Sequence, residues 1–237
     1  MTTAAPGPPK TTMDAAQTSA PFHTPAAPVL TRDPDHLYWL LEPPRTTLDN
    51  LLGVTEVMVE LGFESDDWYT EQHSSRGIVI HAELATIARG GQPFPFLDPD
   101  LWGWRKSGMD FLAYMIADGA KIISVEFMGY SPAYRFAGTI DLVVLWRGYE
   151  WVLDWKTGKA SRVTRFKLAA YDTILGPTNT GLLRKRAAIE VQEDGGKARL
   201  VEYNGPKFYH DANRFLGYLN TARDMRAYGS KYATKRD

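Results

Sequence analysis

The stretch Ala137-Gly138-Thr139-Ile140-Asp141-Leu142-Val143-Val144-Leu145-Trp146 is followed, across Arg147-Gly148-Tyr149-Glu150, by Trp151-Val152-Leu153-Asp154-Trp155-Lys156-Thr157-Gly158. Two apolar runs rich in β-branched residues flank a short polar piece, which predicts a β-hairpin with a loop over 147–150. Two aspartates and a lysine stand inside these runs. A carboxylate in an apolar strand is costly to bury unless a cation accompanies it. Strand side chains alternate, so Asp154 and Lys156 share one face while Trp151, Leu153 and Trp155 share the other. If the hairpin sets Asp141 opposite Asp154, two carboxylates and one ammonium meet at the end of the sheet. That group suits a hard divalent cation, which takes oxygen ligands, and leaves Lys156 for the chemistry. The same residues also allow a plainer arrangement, a surface hairpin carrying an Asp154–Lys156 salt bridge.

Gly138-Thr139-Ile140-Asp141, then Asp154-Trp155-Lys156-Thr157-Gly158, then Tyr171 on the next helix resemble the PD-(D/E)xK nuclease superfamily, and within it the RecB-like and phage exonuclease branch. The resemblance extends over about 53–176, and its specific motifs fall between 138 and 171. It implies an α/β fold with a restriction-endonuclease-like core, a central mixed β-sheet flanked by helices. It also implies metal-dependent hydrolysis of DNA phosphodiester bonds. On this resemblance Asp141 and Asp154 hold the metal, and Lys156 orients the attacking water and offsets charge in the transition state. The Trp155 carbonyl is a further candidate ligand. Gly77 and His81, four apart on a predicted helix, are similar to the family's Gly-x-x-x-His element, in which the histidine is a ligand. Glu126 lies on the strand before the Gly-x-x-Asp motif, where the family often has a glutamate that helps hold metal or its water. Tyr171 matches the family's tyrosine, whereas Lys167 replaces the glutamine that usually precedes it by four. An oxygen-rich site with one imidazole suits Mg2+, with Mn2+ as a substitute.

Composition narrows the remaining choices. With 237 residues, 44% hydrophobic and 12% aromatic, the chain is long enough for one sizeable core. No apolar run approaches the roughly 20 residues of a membrane span. No basic start with an apolar segment opens the chain, so the expected location is cytoplasmic, in a bacterial or phage-infected cell. The sequence has no cysteine, which excludes disulfides, thiolate zinc sites and the iron-sulfur cluster that several RecB-like nucleases carry. The net charge of -1 hides an asymmetry: residues 31–75 hold ten acids and two bases, whereas 155–186 hold eight bases and one acid, Asp172. The second stretch adjoins the expected metal site and suits a phosphate backbone, with Lys159, Arg162, Arg165 and Lys167 as the expected DNA contacts. An ordinary solvated helix face is the alternative reading of the same charges.

Along the chain, residues 1–29 are rich in Ala, Pro, Thr and Ser and are expected to be disordered, 30–228 to form one nuclease domain, and 229–237 to be a polar tail. Within the domain a short strand is expected at 37–41 and helices at 55–61, 74–89, from an Asp98 cap to about 118, at 161–175 and at 211–227. A strand is expected at 122–128, and a second hairpin joins 186–192 to 197–203 across Glu193-Asp194-Gly195-Gly196. Taken together, these residues predict a metal-dependent DNA exonuclease of recombination, repair or phage DNA processing, working with a single-strand-binding or recombination partner. Three alternatives stay open: a structure-specific or nicking endonuclease of the same fold, a catalytically decayed DNA-binding module, and an α/β domain for a small phosphorylated ligand. The last lacks any phosphate-binding glycine motif.

Overall fold

The computed structural model describes residues 27–63, 71–178, 180–205 and 208–228, with backbone alone for 71–74 and 208. In chain order these form β1 (Val29–Arg32), β2 (Tyr38–Leu41), β3 (Asp49–Gly53), α1 (Val54–Glu60), α2 (Glu71–Ala88), α3 (Trp102–Ala117), β4 (Lys121–Ser131), β5 (Phe136–Trp146), β6 (Tyr149–Lys156), α4 (Thr164–Leu175), β7 (Arg184–Glu190), β8 (Arg199–Glu202) and α5 (Phe208–Tyr228). Of the tails, 1–26 and 229–237 lie outside the described residues. Val29 is not tail, because it opens β1 and pairs with Leu41.

The hairpin is tighter than its sequence suggests. β5 runs on to Trp146 and β6 begins at Tyr149, so Arg147 and Gly148 alone make the turn, with φ of 52° and 75°. Two successive positive φ values match the right-handed twist of the paired strands, and glycine takes the second without strain. The expected serine start of α4 is also displaced. Val163 is its N-cap, while Ser161 sits in the preceding turn with its Oγ 3.3 Å from that of Thr164.

The eight strands form one mixed sheet in the order β1-β2-β3-β5-β6-β7-β8, with β4 paired to β5. β3 with β5 and β6 with β7 are parallel, and the other pairs are antiparallel. Helices cover both faces. Ile80, Leu84, Trp104, Phe111 and Met115 of α2 and α3 meet Leu142, Val144, Trp151, Leu153 and Trp155 on one side. Val57, Met58, Leu168, Tyr171, Phe215 and Leu219 of α1, α4 and α5 meet Phe136, Ile140, Val143 and Val152 on the other. Each fully buried side chain of this size contributes about 1.5–3 kcal/mol, so packing rather than helix propensity holds these short helices in place. Among the described residues no helix is long and apolar enough to cross a membrane.

The unequal pairing of the two edges of β5 positions the candidate site. β4 pairs along one edge of β5 from Phe136 to Leu145. The other edge is divided: β3 pairs at Phe136 and Ala137, and β6 pairs from Leu142 to Trp146. The sheet therefore forks along Gly138, Thr139, Ile140 and Asp141, where β5 has a strand neighbour on one side only. The usual alternation also breaks there, since Ile140 and Leu142 belong to opposite cores.

Candidate active site

Asp141 sits at the mouth of this fork. The last β5–β6 pair is Leu142 with Leu153, so the next register position sets Asp141 against Asp154. Where the ladder stops, the Asp141 side chain takes over its role, and Oδ2 accepts the Trp155 backbone N–H at 2.8 Å. On β6 the alternation holds as expected. Trp151, Leu153 and Trp155 enter the α2/α3 core, which leaves Asp154 and Lys156 on the opposite face with Val152. Lys156 Nζ lies 2.5 Å from Asp154 Oδ2.

His81 approaches from α2, with Nδ1 3.3 Å from Asp141 Oδ2. The site thus consists of two adjacent charge pairs, His81 with Asp141 and Lys156 with Asp154. Each pair feels the other: the fields of Asp141, Lys156 and Asp154 all reach the His81 imidazole. Burial opposes charge on His81, yet the Asp141 carboxylate outweighs it and holds the imidazole pKa above its ordinary value. Burial likewise opposes ionisation of Asp141, but His81, Lys156 and the Trp155 N–H prevail and keep this carboxyl below the usual range. For Lys156, burial is again overcome by Asp154 and, more weakly, by Asp141, so the amine stays charged more firmly than usual. It is therefore an ammonium at neutral pH, able to donate and to offset negative charge but not to accept a proton.

Glu126 completes the cluster from β4. Its neighbours Val125 and Phe127 pair with Leu142 and Ile140, which places Glu126 beside Asp141. Its φ is 53°, a left-handed conformation that a glutamate in mid-strand adopts only when its surroundings impose it. Burial, then the neighbouring Asp141, push its carboxyl up to about 7, against smaller opposing effects from His81, Arg89 and Arg32. Tyr171 of α4 is 5% exposed, and burial followed by the Asp154 and Asp141 charges raises its hydroxyl well above the ordinary range. Its ring covers Gly138, where an added Cβ would lie 2.9 Å from Tyr171 Cε1. Only glycine admits the tyrosine at that distance.

The basic stretch behaves differently from its sequence. Lys159 and Arg162 face solvent. Arg165 is held by Asp211 of α5, with Nε and Nη2 at 2.8 and 2.7 Å from Oδ1. Lys167 is 7% exposed and close enough to Lys156 to disfavour its charge. Arg184 spans Glu150 and Asp172 at 2.5 and 2.6 Å, Lys185 lies over Tyr149 at 4.0 Å, and Arg186 is 2% exposed. Much of the charge in 155–186 therefore joins elements of the fold together, and Lys159 and Arg162 are the two expected DNA contacts that face outward. One residue that sequence reasoning did not single out also touches the site: Arg76 of α2 donates from Nη2 to the Thr157 carbonyl at 3.2 Å. It stands beside the recognised Gly77, but a surface-type arginine near a helix start gives no signal of its own.

The donor set suits a hard divalent cation. Asp154 Oδ2 is fully buried and, among the described residues, has no well-directed hydrogen bond beyond its ion pair with Lys156, the Asp141 carboxylate is firmly ionised, and His81 adds an imidazole. Asp141, Asp154 and His81 are the residues that would hold such an ion. Among the described residues, no three His, Asp or Glu side chains already converge on one ion position; the His81 and Lys156 cations balance the two carboxylates instead.

No protein-family model matches the chain, and no curated protein matches it in sequence. Among solved structures, the alkaline exonuclease LHK-Exo of Laribacter hongkongensis is similar at 11% identity, over 77% of this chain and 94% of that one, with a TM-score of 0.35. LHK-Exo in complex with dAMP is similar at 12% identity, over 79% and 95% of the two chains, with a TM-score of 0.33.

Proposed function

We propose that this chain is a divalent-cation-dependent deoxyribonuclease, an exonuclease resembling the RecB-like and phage enzymes of recombination, repair and DNA processing. The observation that carries the reading is the meeting of Asp141, Asp154, Lys156 and His81 at the fork of the sheet, two ion pairs side by side in a largely apolar surround. Phosphodiester hydrolysis needs an activated water and stabilisation of charge growing on the phosphoryl oxygens. A divalent cation, Mg2+ or Mn2+ in its place, supplies Lewis acidity at those oxygens and a more acidic water. The protein supplies the rest. Asp141, braced by the Trp155 N–H, and Asp154 give fixed negative charge that orients the reacting centre, with the Trp155 carbonyl and Glu126 as further oxygen donors. The Lys156 ammonium, freed from Asp154 when a phosphate arrives, donates to the attacking water or to a phosphoryl oxygen. Such preorganised donors act in a site that excludes bulk water and need little reorganisation as charge develops. Tyr171, closing over Gly138, keeps the Asp154 side of the site dry. Lys159 and Arg162 track the DNA backbone.

Linear duplex, covalently closed duplex and single-stranded DNA incubated with Mg2+ or with a chelator test this reading. Loss of the linear duplex with Mg2+, an intact closed circle and no reaction in chelator are the expected pattern. Lys156→Ala should keep DNA binding and lose about 10²–10³-fold in turnover, as removal of one transition-state donor does. Cleavage in chelator, or wild-type turnover by Lys156→Ala, would overturn the assignment, and cutting of the closed circle would make the enzyme an endonuclease of the same fold.

A further inference from the structure

Resting on the nuclease reading above, we infer that Arg76 is a positioning residue that fixes Lys156 from the neighbouring helix. Arg76 and His81 stand on the same helix, α2, so that helix addresses both charge pairs. His81 meets Asp141 directly. Arg76 meets the backbone one residue beyond Lys156, through Nη2 and the Thr157 carbonyl.

Three observations make this contact a latch. First, the Arg76 guanidinium carbon lies 4.4 Å from the centroid of the Trp104 ring, and Trp104 is itself 5% exposed in the α2/α3 core. Stacking on a buried aromatic fixes the plane of the fork before it meets the carbonyl. Second, the helix packs directly against the loop at the next residue: a Cβ added at Gly77 would be in ordinary contact with Thr157 Oγ1, 3.9 Å away. Third, the Lys156 carbonyl accepts the Val191 N–H at 2.9 Å. The backbone is thus held at Lys156 by β7 and at Thr157 by α2, and the ammonium swings from a fixed base.

Among the described residues, Arg76 Nε is buried without a hydrogen-bond partner. Leaving a buried donor unsatisfied is unfavourable; the stacked fork accepts that cost while presenting one Nη to one carbonyl. Mutating the outer partners that orient metal ligands typically costs 10–100-fold in affinity or activity, and a residue that anchors Lys156 from behind is expected to act on the same scale.

The test compares wild type, Arg76→Ala and Arg76→Lys in the full chain, with two readouts. Amide hydrogen exchange over 156–160 needs no substrate: in Arg76→Ala this segment should exchange faster while the strands β4, β5 and β7 are unchanged. In Mg2+ with linear duplex DNA, Arg76→Ala should lose roughly 10–100-fold in kcat with KM little changed, and Arg76→Lys, which can reach the carbonyl but not stack as a plane, should recover part of the loss. Unchanged exchange at 156–160, or a fall confined to KM, would overturn the latch. If exchange changes as expected but the wild type cleaves no DNA, the nuclease reading fails while Arg76 remains the anchor of the Lys156 loop.

Discussion

Replacing Glu126 with glutamine should leave stability unchanged in acid and raise it above neutral pH. In the folded protein the Glu126 carboxyl is pushed up to about 7, first by burial and then by Asp141. A folded-state pKa above the unfolded value means that the folded protein holds this proton more tightly. The stabilisation linked to it is complete below the unfolded value of about 4.5 and is lost as pH rises through about 7. Beyond that point the fold carries an ionised carboxylate beside Asp141. The gap between about 7 and 4.5, at 1.36 kcal/mol per tenfold change in proton affinity, amounts to about 3 kcal/mol. Glutamine has the same shape and no charge, and the strained φ is the same for both. Urea unfolding in chelator, at intervals from pH 4 to 9, should show the variant equal to wild type at pH 4. The variant should then gain up to about 3 kcal/mol by pH 8.5, a rise of roughly 6–12 °C in Tm for a domain this size. A difference that stays flat across pH would refute the placement of Glu126 beside Asp141 in a shared, water-poor site.

Three further predictions separate structural from DNA-facing roles. Lys159→Ala with Arg162→Ala should reduce the salt dependence of DNA binding by nearly two counterions while leaving stability unchanged, measured by fluorescence anisotropy between low and moderate salt. Arg165→Ala should do the opposite, costing about 1–3 kcal/mol of stability in chemical unfolding, because the buried Asp211 loses its close partner and is left with Arg186 Nη2 at 3.7 Å. Gly138→Ala should cost about 1–3 kcal/mol by thermal unfolding, since the new methyl would crowd Tyr171, Val54 and Ile174 at 2.9, 3.1 and 3.2 Å.

The hairpin and the facing of its charges were legible because strand alternation is a local rule: Asp154, Trp155 and Lys156 had to point in turn to opposite sides. The helix bearing His81 and the strand bearing Glu126 were legible from apolar periodicity in the same way. β1 and β3 were not, because Val29–Arg32 and Asp49–Gly53 are short and partly polar, and only their partners across the sheet make them strands. The fork of β5 has no local signature either. It arises because β3 and β6 compete for one edge, and Asp141 with its neighbours occupies the interval between them. Charge counting misled for a related reason. Arg184 reads as a cation beside the site until the fold brings Glu150 and Asp172 to it, and no count along the chain contains that meeting.

In the proposed function, Asp141 and Asp154 are kept together in an apolar setting to grip one divalent cation. The most direct test is Mn2+ binding to metal-stripped protein without DNA, followed by isothermal titration and electron paramagnetic resonance in wild type, Asp141→Asn and Asp154→Asn. Each single substitution should weaken binding at least tenfold, about 1.4 kcal/mol, and the protein should remain folded. Equal Mn2+ binding in all three, or none in the wild type, would contradict it.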